Sequence, residues 1–340
     1  MSGRERRSRP DPNTQTILSV MKTYPTNEVA IIGCHAAKIS RKSCEYDLLV
    51  VSRDPTPAKF VRAGDVYAEI MFRNEQELRQ IDPELGASLA KAIALRDNTL
   101  LLGGTIATCE RRFKENCDSA AESHLASALK ALGRVDDLVG GESVEADFWL
   151  ASAAIDFAKS ELFSNLQIPC PSHLFSQMKQ LSKKKQTGFE EWTEASAFAL
   201  ASKESCENRL EEVAVLYDIF ETTDMDAAMS LKLGRYRSED AIAVVRSKVE
   251  ELLSSVQTIE CFSFLGIEGV RTILDLYALQ CNKLRREPDY SGVIGLLTSG
   301  GDRIISEEVL RGLGFVRKTE MVEAGAESLR SAISTLARKM

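Results

Sequence analysis

The sequence predicts an α+β fold, in which a small mixed-sheet domain near the N-terminus is followed by largely all-α domains. Two observations carry this prediction. Short apolar runs bounded by Gly, Pro and charged residues are concentrated in residues 1–104, and such runs are typical of buried strands. From Thr105 onward the chain is rich in Ala, Leu, Glu and Lys, with apolar residues at helical spacing.

The first elements alternate between helix and strand. Residues 14–24 place apolar side chains at helical spacing after Asn13, a residue type that caps helices. The wholly apolar run 29–33 ends in glycine, which predicts a strand buried on both faces that stops at a tight turn. Residues 36–42 can form a helical turn, and residues 45–51 predict a second buried strand.

The next elements complete the sheet. A third strand is predicted over 66–72, after a loop that contains two prolines. A helix is predicted from Asp82 to about Leu95, because Pro follows Asp82 as it often does at a helix start, and a last strand is predicted over 99–102. Everything beyond reads as helix, except for a short α-β excursion near 295–305.

Glycine and proline breaks divide the helical region. The predicted organisation is a disordered tail over 1–13, a mixed-sheet domain over 14–104, a helical domain over 105–210 and a C-terminal helical domain over 211–340.

Composition excludes several classes of protein. No apolar run approaches the roughly 18 residues that span a bilayer, and the N-terminus lacks the apolar segment of a secretory signal, so we expect a cytoplasmic protein without a membrane partner. The net charge of −7 argues against a large nucleic-acid surface. Two basic runs, 4–9 and 183–185, could contact phosphates, but a solvated segment is the favoured interpretation of both.

The chain has eight cysteines at irregular spacings without a C-x-x-C pair, and three histidines. This pattern predicts neither a zinc site nor a disulfide framework, and we expect reduced, mostly buried thiols.

The chemistry is concentrated in residues 31–50. Because side chains alternate along a strand, Glu45 and Asp47 are predicted to project from one face, about 7 Å apart. Two carboxylates on an apolar strand require a compensating positive charge, which Mg²⁺ can supply together with nucleotide phosphates. Gly33 would let the backbone approach a triphosphate. The cations expected to balance the phosphate charge, with the N-terminus of the following helix, are Lys38, Arg41 and Lys42.

These residues resemble the signature of the DNA polymerase beta-like nucleotidyltransferase superfamily. In that family a hydrophobic strand ends in Gly-Ser or Gly-Gly, and about ten residues later the next strand carries two carboxylates separated by one hydrophobic residue. Here Gly33-Cys34, ten residues, and then Glu45-Tyr46-Asp47 follow that order. The resemblance implies a nucleotidyltransferase-like domain over 14–104.

The resemblance also implies a third carboxylate on a neighbouring strand, and Glu69 is the candidate, to complete the metal site or to act as base toward the acceptor. Asp65 competes with it, and an exposed position on an edge strand is an equal alternative for Glu69. Asp97 and His35 are further candidates, for which a turn and a loop cap are the plainer interpretations.

A second resemblance lies in residues 147–162 with Asn165 and 169–173, which are similar to the helical companion domain of kanamycin-type and minimal nucleotidyltransferases. That domain walls one side of the cleft and selects the acceptor. Apolar residues at this spacing are equally typical of a helical core, and no catalytic residue is assigned there.

The leading hypothesis is Mg²⁺-dependent transfer of a nucleoside monophosphate from an NTP, with ATP the expected donor, to a hydroxyl. Glu45 and Asp47 would hold the metal with Glu69, while Gly33 and Cys34 would seat the triphosphate. The expected acceptor is a small molecule or a protein side chain rather than nucleic acid. Departures from the family pattern at Cys34, Cys44 and Glu45 favour a second hypothesis, a degenerate module that binds nucleotide or protein without turnover. The third is an all-helical scaffold with a coincidental motif.

Overall fold

The chain was analysed as a computed structural model of all 340 residues. The structure describes residues 17, 21–25, 27–42, 44–53, 58–63, 66–138, 144–222, 231, 233–237, 240–290, 292–298, 304–315 and 317–340.

A five-stranded mixed sheet forms the N-terminal part of the chain, so the α+β prediction is confirmed and the all-helical alternative is wrong. The strand order is β3-β4-β2-β1-β5. β2 and β4 are parallel, and the other neighbouring pairs are antiparallel. The strands are β1 (Val29–Ile32), β2 (Tyr46–Val51), β3 (Lys59–Ala63), β4 (Val66–Arg73) and β5 (Ile93–Arg96).

The central strands are buried because both faces of the sheet are covered. All four residues of β1 are buried, and their side chains divide between two apolar clusters. Val29 and Ile31 pack on one face with Ile17 and Met21, while Ala30 and Ile32 pack on the other face with helical residues. Continuous apolar runs are what such two-sided burial requires, which is why β1 and the apolar part of β2 were predictable, whereas burial alternates along β4.

Three N-terminal predictions are wrong or incomplete. The helix that starts after Asp82 ends at Leu89 instead of continuing to about Leu95. Residues 93–96 form β5 instead, because they pair with β1 and complete that edge of the sheet. The strand predicted over 99–102 is absent, since Leu101 begins a helix. The residues of β3 were predicted to be part of a loop. The helix predicted over 14–24 lies mostly outside the described residues, apart from Ile17 and a 3-10 turn at Met21–Thr23.

Beyond the sheet the chain is helical, as predicted from Thr105 onward. The helices are α1 (Gly33–Ala36), α2 (Glu75–Arg79), α3 (Pro83–Leu89), α4 (Leu101–Arg111), α5 (Phe113–Leu138), α6 (Val144–Ser164), α7 (Leu174–Ser182), α8 (Phe189–Ala195), α9 (Lys203–Glu221), α10 (Ala241–Ser254), α11 (Thr258–Lys283), α12 (Val293–Thr298), α13 (Glu307–Gly312) and α14 (Thr319–Ala337). Residues 293–298 of the predicted α-β excursion are helical, and 299–303 lie outside the described residues.

One large apolar cluster joins the helices to the sheet. It extends from Leu125 in α5 to Leu336 in α14 and includes Phe60 of β3. α11 lies centrally in this part and packs against α6, α7, α9, α10 and α12. A 3-10 turn at Gly234–Arg237 contacts β3 and thus brings helical-region residues to the sheet. None of the described helices is long and apolar enough to cross a membrane. The predicted domain boundaries stay predictions.

Candidate active site

Gly33 ends β1 in a conformation that few other residues adopt. Its φ is +67°, in the left-handed region that favours glycine. β1 pairs with β2 so that Ile32 lies opposite Asp47, and this register places the Asp47 side chain directly over Gly33. A Cβ at this position would overlap Asp47 Oδ2. The glycine is therefore required both by the turn and by the carboxylate beside it.

Three carboxylates meet beside this turn. Glu45 immediately precedes β2, Asp47 lies within it, and Glu69 lies on β4 level with Asp47. One oxygen from each of the three lies within 4.8 Å of the others. β4 is an interior strand between β3 and β2, and the Glu69 side chain is only 12% exposed, so the exposed edge-strand alternative for Glu69 is wrong. Asp65 lies outside the described residues.

Burial and mutual repulsion dominate the electrostatics of this cluster. Burial, followed by the negative charges of Glu45 and Glu69, raises the pKa of Asp47 well above its usual range. The Asp47 carboxyl group therefore loses its proton less readily than an ordinary aspartate does.

Two cations from the helical region already compensate the other carboxylates. Lys248 Nζ of α10 lies 2.5 Å from Glu45 Oε2, and the two side chains are 7% and 14% exposed. Burial alone would raise the pKa of Glu45, but the charge and hydrogen bond of Lys248 lower it overall. Arg235 Nη1 lies 3.4 Å from Glu69 Oε1. Sequence reasoning missed both cations, because nothing in the local sequence around either residue connects it with strands far upstream.

A second layer of charges lies behind these pairs. Arg271 Nη2 of α11 lies 2.8 Å from Glu268 Oε2, and the Tyr217 hydroxyl donates to the same oxygen at 3.0 Å. The guanidinium of Arg235 lies over the Phe60 ring, with 5.1 Å between its central carbon and the ring centroid. The Nε atoms of Arg235 and Arg271 are buried without a hydrogen-bond partner among the described residues. Arg235, which pairs with Glu69, therefore has one buried donor without a partner among the described residues.

The cations predicted after Gly33 are placed differently. Arg41 donates to the Ser176 hydroxyl at 3.0 Å and lies 3.5 Å from Glu260 of α11. Lys38 and Lys42 are exposed. Within the described part of the chain no ion pair joins any of the three to the carboxylate cluster. The helix that follows the glycine turn, α1, has four residues, which is too short for a substantial helix dipole.

The other candidate residues have local structural roles. The Cys34 sulfur lies within 4.8 Å of the Cys44 sulfur and of a ring nitrogen of His173. His35 stacks on Tyr46 with ring centroids 3.7 Å apart, and its Nε2 lies 3.0 Å from the Cys44 carbonyl oxygen. The interpretation of His35 as a loop cap is confirmed.

Asp97 also has a structural role. Its carboxylate accepts hydrogen bonds from the backbone N–H groups of Leu102 and Gly103, at 3.1 and 2.7 Å. These bonds satisfy the free donors at the start of α4. The turn interpretation of Asp97 is therefore confirmed.

Comparisons with known proteins find similarity among solved structures but not among family models or curated proteins. No protein-family model matches the chain, and no curated protein matches it. Among solved structures, the chain is similar to a nucleotidyltransferase-like protein from Exiguobacterium sibiricum, at 13% identity and a TM-score of 0.32, over 80% of this chain and 90% of that one. A TM-score this low carries no argument about the fold or activity of this chain.

Proposed function

We propose that the cluster is the active site of a Mg²⁺-dependent nucleotidyltransferase, which moves a nucleoside monophosphate from an NTP to a hydroxyl acceptor. One observation carries the proposal: Glu45, Asp47 and Glu69 converge from two parallel strands beside the Gly33 turn, with oxygens within 4.8 Å of one another. Cis and trans oxygen ligands of an octahedral Mg²⁺ lie about 3 and 4 Å apart, as follows from bond lengths of about 2.1 Å. The donor set and its spacing fit this ion.

When bound, Mg²⁺ would supply charge for the triphosphate oxygens and for the transition state. The carboxylate of Asp47 would release its proton as positive charge arrives, since burial and neighbouring carboxylates are what raise its pKa. The hydroxyl of the acceptor would attack the α-phosphorus while the bond to pyrophosphate breaks. Glu69 is the proposed group that accepts the hydroxyl proton, because it lies at the cluster and is held in place by Arg235.

The helical region would contribute the phosphate-binding cations. Lys248 and Arg235 contact the carboxylates directly, and the Nε–H of Arg235, which has no hydrogen-bond partner among the described residues, would be a donor for a phosphate oxygen beside Glu69. Arg41 stays a candidate for the same role, because its Nη2 contacts Ser176 and Glu260 while its buried Nη1 has no hydrogen-bond partner among the described residues. We keep ATP as the expected donor, and a small molecule or protein side chain as the expected acceptor.

A second candidate function rests on the ion pair between Lys248 and Glu45. Lys248 Nζ lies 2.5 Å from Glu45 Oε2, in the position from which a metal ion would neutralise that carboxylate. A lysine that permanently replaces the metal would leave a fold without turnover, which would serve as a nucleotide-binding or protein-interaction module. The two functions differ in whether divalent metal is needed for nucleotide to bind.

Thermal unfolding with each of the four NTPs, with and without Mg²⁺, separates the candidates. A ligand at about 100 times its dissociation constant stabilises the folded state by about 2.7 kcal/mol. We expect a Mg²⁺-dependent shift for at least one NTP, lost in Asp47→Asn. The matched control is Glu75→Gln, which removes an exposed carboxylate paired only with Arg79 on α2 and should keep the shift.

The remaining outcomes each have a meaning. A shift that needs neither Mg²⁺ nor Asp47 would support the binding module, and no shift with any NTP would contradict nucleotidyl transfer. If the shift is found, pyrophosphate release from that NTP on addition of hydroxyl compounds or protein extracts identifies the acceptor class. Release that persists in Asp47→Asn would refute the assigned site.

A further inference from the structure

A second cluster of metal-ligating side chains lies next to the carboxylates and uses none of them. Cys34 follows the Gly33 turn, Cys44 precedes Glu45, and His173 lies far along the chain at the end of a 3-10 turn. One ligand atom from each of Cys34, Cys44 and His173 lies within 4.8 Å of the others, and all three residues are buried. The cluster therefore connects the sheet with the helical region.

The Cys44 and His173 ligand atoms lie slightly closer together than two ligands of a tetrahedral zinc ion. Cys44 Sγ lies 3.2 Å from His173 Nε2, so this ring nitrogen faces the sulfur. With Zn–S bonds of about 2.3 Å and Zn–N bonds of about 2.0 to 2.1 Å, ligand atoms around a tetrahedral zinc ion lie about 3.6 to 3.8 Å apart. An adjustment of a few tenths of an ångström would open this pair to admit the ion.

Cys170 is the proposed fourth ligand. Its sulfur is not among the ligand atoms that all lie within 4.8 Å of one another, so it would have to move closer when the ion binds. Cys170 and His173 form a C-x-x-H segment, and the His173 N–H donates to the Cys170 carbonyl oxygen at 2.9 Å. With Cys170, three sulfurs and one imidazole would make a Cys₃His set, the closed form typical of structural zinc sites.

Hydrogen bonds from neighbouring residues hold the ligands in place. The Arg41 backbone N–H donates to Cys44 Sγ at 3.2 Å. Gln177 of α7 accepts from the Cys170 N–H at 2.9 Å and donates to the Ile168 carbonyl oxygen at 2.8 Å, which fixes the segment before His173. Metal ligands are commonly oriented by such bonds, which also tune their affinity.

A second thiol pair provides a contrast. Cys206 of α9 and Cys261 of α11 are both buried, and the Cys206 thiol donates to the Thr258 carbonyl oxygen at 3.5 Å. Among the described residues no histidine or further cysteine joins them in a metal-ligating group. Burial of paired thiols in this fold is thus not enough to produce a four-ligand set.

We propose that Cys34, Cys44, Cys170 and His173 bind one structural Zn²⁺ ion. The ion would tie the Gly33 turn and the start of β2 to the segment before α7. Thiolate and imidazole ligands in tetrahedral geometry favour zinc over Mg²⁺, which requires oxygen ligands. The cysteine spacing did not indicate this group, because Cys34 and Cys44 lie near the two ends of the β1–β2 connection and Cys170 and His173 lie in a distant C-x-x-H segment.

The test uses the full chain and does not depend on activity. Metal content is measured on the purified protein by mass spectrometry, and the metal-free, reduced protein is then titrated with Zn²⁺ and with Co²⁺. We expect about one zinc ion per chain and, for cobalt, the intense visible bands and thiolate charge-transfer absorption of tetrahedral sulfur coordination. Zinc affinity should fall in Cys170→Ser and His173→Ala by more than the roughly 10- to 100-fold loss that follows removal of an orienting partner.

Two variants serve as controls. Cys261→Ser removes a buried, paired thiol outside the cluster and should leave zinc affinity unchanged. Asp47→Asn should also leave it unchanged, so failure of the zinc proposal and failure of the nucleotidyltransferase proposal can be distinguished. Wild-type titration keeps the test decisive even where a variant does not fold.

Three results would overturn the proposal. One is wild-type protein that binds neither Zn²⁺ nor Co²⁺ after reduction. Another is zinc binding that Asp47→Asn abolishes but Cys170→Ser does not, which would place the ion on the carboxylates. The third is a disulfide among Cys34, Cys44 and Cys170 in protein isolated under reducing conditions, since its sulfurs could not act as thiolate ligands.

Discussion

Replacement of Lys248 by methionine tests the charge balance of the carboxylate cluster. Lys248→Met keeps a long apolar side chain but removes the ammonium that lies 2.5 Å from Glu45. Glu45 would then be a buried carboxylate without its closest partner, beside two further carboxylates. The variant should be strongly destabilised, because a buried charge left unpaired costs more than the pair contributed.

The structure sets the size of the effect. The side chains of Lys248 and Glu45 are 7% and 14% exposed, so loss of one partner should lower the free energy of unfolding by about 3 to 5 kcal/mol. The double variant Lys248→Met/Glu45→Gln removes both charges and should recover most of that loss. Lys203 and Glu207 form the matched control pair, with side chains 74% and 52% exposed, and breaking it should cost at most about 1 kcal/mol.

Urea unfolding followed by tryptophan fluorescence measures these differences. Both tryptophans of the chain, Trp149 and Trp192, belong to the same apolar cluster as Val245 and Val249 of α10, so the signal reports on the part that presents Lys248. The reasoning is refuted if Lys248→Met unfolds at the wild-type urea concentration. It is also refuted if the double variant is as unstable as the single one, since packing rather than charge would then be responsible.

Three further predictions concern other parts of the structure. Gly33→Ala should lose Mg²⁺-nucleotide binding and at least about 1 to 2 kcal/mol of stability, because Gly33 has a left-handed backbone and the new Cβ would overlap Asp47. Gly104→Ala, which adds a Cβ in open space on α4, should instead stabilise the protein by up to about 1 kcal/mol. Equal effects of the two variants on urea unfolding would contradict this prediction. Because the pKa of Asp47 is raised in the folded protein, its carboxyl group stabilises the fold below the unfolded pKa of about 3.9, and this stabilisation is lost as pH rises through the folded pKa. The stability of Asp47→Asn relative to wild type should therefore increase as pH rises from about 4. A stability difference that does not change with pH would contradict this prediction. Burial opposes protonation of His124, but hydrogen bonds to Asp156, at 2.8 Å from Nδ1, and to Glu84 raise its pKa overall. A proton NMR titration should therefore find a pKa above the usual value of about 6.5, and this pKa should be lower in Asp156→Asn.

The strands and turns that could be predicted are those whose burial is visible as a local pattern of apolar residues or glycine in the sequence. β1 and β2 are apolar runs because both faces of the sheet are covered, and Gly33 marks the end of β1 because the turn needs a positive φ. β5 could not be found in this way. Its residues continue the apolar spacing of the preceding helix, and only pairing with β1 makes them a strand.

The same distinction applies to the candidate site, where some residues follow from local sequence patterns and others only from tertiary packing. The meeting of Glu45 and Asp47 follows from strand periodicity, which is local, and Glu69 follows from the next strand. Lys248 and Arg235 reach the carboxylates only through packing of α10 and the Gly234–Arg237 turn against the sheet. No local pattern in a single sequence encodes such a contact, and the basic residues near Gly33 were the closest cations that sequence alone could offer.

Residues of the thiol cluster are direct sequence neighbours of residues at the carboxylate cluster, and this connects the two proposals physically. Cys34 follows Gly33 directly, and Cys44 precedes Glu45 directly. An ion held by both thiols would close the loop between them and remove conformational freedom from the residues on either side. Because Asp47 packs against Gly33 with no space for a Cβ, a small displacement of the turn would move this carboxylate relative to the others. A zinc ion at the thiols would therefore fix the spacing of the carboxylates without contacting them, which is the kind of preorganisation that nucleotidyl transfer requires.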